Sequence, residues 1–291
     1  DRTAETPPFT DDDQRLLTLF ANQASVAITN ARQVEQLKQF HAQQIEKERL
    51  DQQLRTAQAI QAGLLPDHLP DIPGWDLAGL WRPALQLGGD YYDVIPLAPD
   101  RWGLLMADVS DKGIPAALLM AVARSLFRVY ASADDSPRQT LARVNHDLVA
   151  SSHSGMFVTA VYAVADTRTG EVRLAAAGHP PALVVRHPGR EIHPIRVGGM
   201  PLGILEEAEF NEHAFRLEPR ESIVLYTDGI TEASDSGGEQ FGAARLHAFL
   251  RQSEAPSAQQ LIAGLDEAVR AFVGEAPAWD DVAYLVARRR A

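Results

Sequence analysis

Four stretches of this chain set an aspartate at the end or the start of an apolar run. Leu104-Leu105-Met106-Ala107-Asp108 and Ile223-Val224-Leu225-Tyr226-Thr227-Asp228-Gly229 end in one, Asp280-Asp281-Val282-Ala283-Tyr284-Leu285 begins with two, and Gly88-Gly89-Asp90-Tyr91-Tyr92-Asp93 carries another pair. Taken singly, each reads as a turn aspartate capping the next element. Taken together, carboxylates held on rigid strand ends would repel one another on converging, and each would raise the others' pKa unless a cation neutralised them. Oxygen ligands without His or Cys select Mg²⁺ or Mn²⁺ over zinc. Two such ions about 3.5–4 Å apart generate a hydroxide nucleophile and clamp a phosphoryl group. The chain has no cysteine, which removes thiol nucleophiles, zinc ribbons and disulfide scaffolds together and agrees with water as the attacking group.

Further motifs stand in order around these acids. They are Ile60-Gln61-Ala62-Gly63-Leu64-Leu65-Pro66, then Pro83-Ala84 before the Gly88 stretch, then Ala107-Asp108-Val109-Ser110-Asp111-Lys112-Gly113 with Pro115-Ala116-Ala117-Leu118. Ala177-Gly178-His179-Pro180-Pro181, Pro201-Leu202-Gly203, Tyr226-Thr227-Asp228-Gly229-Ile230-Thr231-Glu232-Ala233 and Asp280-Asp281 follow. Single fragments such as Thr-Asp-Gly carry little, but the ordered series from Ile60 onward resembles the bacterial SpoIIE-type branch of the metal-dependent protein phosphatases, relatives of protein phosphatase 2C.

The resemblance implies an α+β fold, an α-β-β-α sandwich of two antiparallel sheets flanked by helices, with a centre for two Mn²⁺ or Mg²⁺ ions at one edge. It assigns Asp108 to both ions with help from the Val109 carbonyl, Asp90 to one ion directly or through water, and Asp228 and Asp280 to the other. Asp108 and Asp228 would be the catalytic pair. Asp281 rivals Asp280, while Asp93 and Asp111 are assigned supporting positions. Eukaryotic relatives carry a histidine, thought to be the general acid, where this chain has Ser110, so that role is unassigned. His179 reads either as part of the site or as a hydrogen-bonded loop histidine. Lys112, one of only three lysines, could meet substrate phosphate as a point charge.

The elements that must position these residues follow from periodicity. Strands are expected at 77–81, 102–109, 157–164, 172–177, 182–186, 222–227 and 282–287, and helices at 114–131, 136–150, 242–251 and 257–273. No Gly or Pro occurs from Phe9 through Ala62. Thr10 and Asp13 form a capping-box-like start, and Leu17, Phe20, Ala24, Ala27, Ala31 and Val34 mark one helical face. The rhythm loosens after Leu37 and resumes at Leu50, Leu54, Ala57 and Leu64, with polar Gln61 in the seam. So long a helix needs a partner, which predicts a dimerising coiled coil, a homodimer through this N-terminal helix. Residues 9–32 resemble the closing helix of a GAF sensor domain. The expected division is 1–33 for the end of a truncated GAF-like domain, 34–65 for a coiled-coil linker and 66–291 for the phosphatase domain.

The 291 residues carry a formal charge of −12, of which −9 falls after residue 70. No basic face marks a nucleic-acid partner, and no uninterrupted apolar run reaches the length of a membrane span, so neither partner is expected. Absent cysteine and absent leader pattern fit a cytoplasmic protein. The expected activity is metal-dependent hydrolysis of phosphoserine or phosphothreonine in a protein. By resemblance the substrate is a small STAS-type anti-sigma-factor antagonist, under control of an upstream sensor. A catalytically silent scaffold of the same fold is the alternative; a two-metal nuclease fits the carboxylates alone but neither the acidic surface nor the motif order.

Overall fold

The computed structural model describes residues 9–66, 68–133, 136–151, 155–276 and 280–291. The first eight residues of the sensor-like segment lie outside them. The chain divides into two compact units, Asp1–Thr56 and Ala57–Ala291.

The first unit is helix α1 (Asp11–Ala62), whose last turns belong to the second. Its start is the reciprocal cap that the sequence suggests. The Thr10 amide donates to the Asp13 carboxylate at 2.9 Å, and the Asp13 amide donates back to the Thr10 hydroxyl at 3.2 Å. Asp11, Asp12 and Asp13 put negative charge at the positive end of the helix dipole. Leu17, Phe20, Val34 and Leu37 are all exposed.

The second unit is layered. One sheet has the order β1 (Trp75–Arg82), β10 (Val282–Arg289), β9 (Ser222–Tyr226), β6 (Ala182–Val185), β7 (Ile192–Ile195). The other has the order β2 (Tyr91–Ala98), β3 (Arg101–Val109), β4 (Val158–Asp166), β5 (Glu171–Ala177), β8 (Glu212–Arg216). Among the described residues, these strands pair with one another antiparallel throughout. Helices α2 (Ile114–Ala133) and α3 (Pro137–Ser151) cover the second sheet, and α5 (Gly242–Gln252) and α6 (Ala258–Val273) cover the first. A short helix, α4 (Asp228–Thr231), follows β9.

Side chains alternate across a strand, so a strand buried on both faces supplies two layers. In β3, Leu105 and Ala107 pack with Met120 and Phe127 of α2, while Leu104 and Met106 pack with Ile223, Leu225 and Leu285 between the sheets. On the far side, Val224, Tyr284 and Val286 pack with Leu246, Ile262 and Val269. The expected α-β-β-α sandwich is therefore the observed fold.

Helix α2 is the one helix among the described residues long and apolar enough to cross a membrane by length and composition. Its packing is that of a core helix: Ala116, Met120, Ala123, Phe127 and Ala131 form its buried stripe, and Arg124 and Arg128 pair with Asp93 on β2.

Candidate metal centre

Antiparallel pairing sets the end of one strand beside the start of its neighbour. In the second sheet, Tyr91 pairs with Ala107, which brings Asp90 next to Asp108. In the first, Tyr226 pairs with Tyr284, which brings Asp228 to the residues that precede β10. The sheets then stack, and Asp108 feels the charges of Asp228, Asp280 and Asp281. Two glycines let the pieces approach. A Cβ on Gly229 would lie 1.8 Å from the Asp281 carbonyl oxygen, and one on Gly89 would lie 2.7 Å from the Val109 carbonyl oxygen.

The electrostatics are those of crowded, dry carboxylates. Asp90 is 2% exposed and its Oδ2 has no hydrogen-bond partner. Burial first, then the charge of Asp108, pushes its carboxyl well above the ordinary range. Burial likewise lifts Asp108 to about 7, with Asp228, Asp280 and Asp281 adding to the rise. Asp228 is raised by burial and by Glu232 and Asp280. An orphaned buried oxygen in a set of hard anionic donors suits a divalent cation, so the residues present fit the expected group. Among the described residues no three acidic or histidine side chains already close on one point. Lys112 makes an ion pair with Asp280 at 3.1 Å.

Asp281 faces elsewhere than its neighbour. Its two oxygens accept from the Ala84 amide at 2.7 Å and the Gly89 amide at 2.6 Å, which holds the loop before Asp90. Asp93 is fully buried on the α2 side of β2. There it takes two hydrogen bonds from Arg128, at 2.6 and 2.8 Å, and lies 3.8 Å from Arg124. Asp111 is exposed in a left-handed turn with φ of 69°. Ser110 joins β3 to the chain before β4, its hydroxyl accepting from the Phe157 amide at 2.9 Å.

His179 has both ring nitrogens engaged. The Tyr226 carbonyl can only accept, so Nε2 carries the proton and donates across 3.1 Å; Nδ1 accepts from the Thr159 hydroxyl at 2.8 Å. Burial lowers its pKa to about 3, which keeps the ring neutral. Thr159 lies in β4 and Tyr226 in β9, so this ring ties one sheet to the other just before Asp228. The hydrogen bonds the second reading expects are thus present. Sequence reasoning overlooked Thr227, buried with its hydroxyl accepting from the Ala283 amide at 3.0 Å, and the two arginines that hold Asp93. A threonine closing an apolar strand was the available sign of the first; a pair of arginines one helical turn apart was that of the second.

Residues 98–290 match the family model of Stage II sporulation protein E (SpoIIE). The chain belongs to the SpoIIE family. Among curated relatives, this SpoIIE-family chain is 29% identical over 239 residues to Protein IcfG of Synechocystis, covering 72% of this chain and 37% of that protein. It is 25% identical over 244 residues to Phosphoserine phosphatase RsbU of Bacillus subtilis, covering 84% of this chain and 72% of that protein. It thus spans well under half of the first relative and most of the second. Among solved structures, the SiaA-PP2C domain of Pseudomonas aeruginosa superposes with a TM-score of 0.74 at 21% identity, covering 83% of this chain and 98% of that one. The SpoIIE-family fold is therefore the PP2C-type phosphatase fold.

Proposed function

We propose that this chain is a divalent-metal-dependent phosphatase acting on phosphoserine or phosphothreonine in a protein. The carrying observation is the buried, unpartnered oxygen of Asp90 beside Asp108, at the place where the ends of both sheets meet. Asp90, Asp108, Asp228, Asp280 and the Val109 carbonyl would hold two Mn²⁺ or Mg²⁺ ions. When bound, such ions activate a water for in-line attack and offset the phosphoryl charge.

The chain's own residues do the rest. Asp108 and Asp228 orient the reacting groups from two different sheets, which fixes their separation by core packing instead of loop conformation. Lys112, at 3.1 Å from Asp280, is placed to turn toward a phosphoryl oxygen once that carboxylate is engaged elsewhere. Beside Asp280 and Gly229 opens a cavity of about 420 Å³, walled by Pro83, Ala233, Val269 and Val273 with Arg82 and Arg270, which gives a substrate segment somewhere to lie. The name of RsbU supports phosphoserine as the substrate group. A STAS-type anti-sigma-factor antagonist is the proposed phosphoprotein, a GAF-like sensor domain the proposed source of control, and the exposed apolar stripe of α1 the proposed homodimer seam.

The test is phosphate release from a phosphoserine peptide with and without Mn²⁺. Activity should require the metal, and Asp108→Asn and Asp228→Asn should each lower kcat at least about 100-fold. Unchanged rates in both variants would sink the assignment, and a wild-type chain that binds no Mn²⁺ would favour the scaffold reading.

A further inference from the structure

Gln61 sits in the last turn of α1, in the seam that the helical period marks as apolar. It is the one buried residue of that helix among those described, 3% exposed, while Ile60 beside it is 66% exposed. A primary amide in such a place must satisfy both its ends. It does so on a single residue. Its Nε2 donates to the Gly88 carbonyl at 2.5 Å, and the Gly88 amide donates to its Oε1 at 3.1 Å. The side chain thereby pairs with the backbone of Gly88 on both sides, as a neighbouring strand would.

Gly88 stands two residues before Asp90. The stretch between is gripped from the other direction by Asp281, which accepts from the amides of Ala84 and Gly89. One grip reaches the loop from the start of β10 and the other from the end of α1. Between them Asp90 is left with a bare Oδ2 beside Asp108. The placement of Asp90 depends on that stretch of backbone, so slack in it would let the two carboxyl groups part.

We infer that Gln61 is a positioning residue for the metal centre: its carboxamide locks the Gly88 peptide groups so that Asp90 is held against Asp108, ready to share a cation. This rests on the metal-dependent reading above. Only a side chain that donates and accepts at that reach can do it. Glutamate loses the donor, asparagine is one methylene short, and methionine keeps the length but makes neither bond.

The experiment uses the full 291-residue chain as wild type, Gln61→Met and Gln61→Asn, titrated with MnCl₂ by calorimetry and melted in EDTA. Hydrogen exchange over residues 84–93 is followed in parallel. Both variants should fold and bind Mn²⁺ about 10–100-fold more weakly, with faster exchange across that loop. Phosphatase kcat should return toward the wild-type value when Mn²⁺ is raised to saturation. Wild-type Mn²⁺ affinity in both variants overturns the inference, even if their melting temperatures fall, because that pattern belongs to a purely structural residue. A wild-type chain that binds no Mn²⁺ overturns the metal reading itself and this inference with it. Should Gln61→Met fail to fold, Gln61→Asn carries the comparison.

Discussion

Asp108, in the role proposed for it, works against the fold that carries it. An acid whose native pKa is about 7, against about 3.8 when unfolded, holds its proton longer in the native state. Native protein then binds more protons than unfolded protein between those values, so without metal, stability falls as pH rises through that window. Asp108→Asn removes the conflict. In EDTA at pH 8 the variant should be more stable than wild type by up to a few kcal/mol, while losing its activity. Paired thermal melts at pH 5 and pH 8 check the sign; the gain should be largest at pH 8. His179 sits at the opposite extreme, kept neutral by burial and locked in one tautomer by Tyr226 and Thr159.

Strand β2 must do two jobs at once, and its alternation divides them. Asp90 stands at its head next to the proposed centre, while Tyr91, Asp93 and Ile95 point to the α2 layer, where Asp93 meets Arg124 and Arg128. Truncating Arg128 to Ala would strip a fully buried carboxylate of its two-pronged partner. That should cost about 3 kcal/mol in unfolding free energy, softened by Arg124, and urea unfolding would read it; a loss near zero would mean Arg124 suffices. The same strand shows where sequence reading ran thin. The interior strands β3, β4, β5, β6, β9 and β10 are apolar and were legible within a residue or two. The three strands that the periodicity missed, β2, β7 and β8, are all edges. Two of them contain a proline, Pro96 and Pro194, and the third reads Glu-His-Ala-Phe-Arg. Edge strands tolerate proline and charge because one row of their backbone groups needs no partner in the sheet, so they lack the signal that interior strands broadcast. In the candidate site, the convergence of the acids was legible from their strand ends. Their division of labour was not: Asp280 and Asp281 are adjacent letters, and only backbone geometry turns one toward Lys112 and the other onto Ala84 and Gly89.

For the molecule as a whole, composition places the boundary at Pro66, whereas contacts place it at Ala57. The difference is the last turns of α1, which belong by their contacts to the second unit. If the stripe of Leu17, Phe20, Val34 and Leu37 is a dimer seam, the full chain should sediment as a dimer and residues 57–291 as a monomer. Two monomers would refute the seam. The close placement of Asp90 against Asp108 carries a final consequence for the protein in solution. If the proposed cation settles there, it displaces the proton that Asp108, lifted to about 7, still holds near neutrality, so metal uptake would also be acid release. On the metal-dependent reading, apparent affinity for Mn²⁺ should climb as the medium becomes more alkaline, which titrations at pH 6.5 and pH 8 would read. The heat of binding includes the ionisation enthalpy of whichever buffer takes the proton.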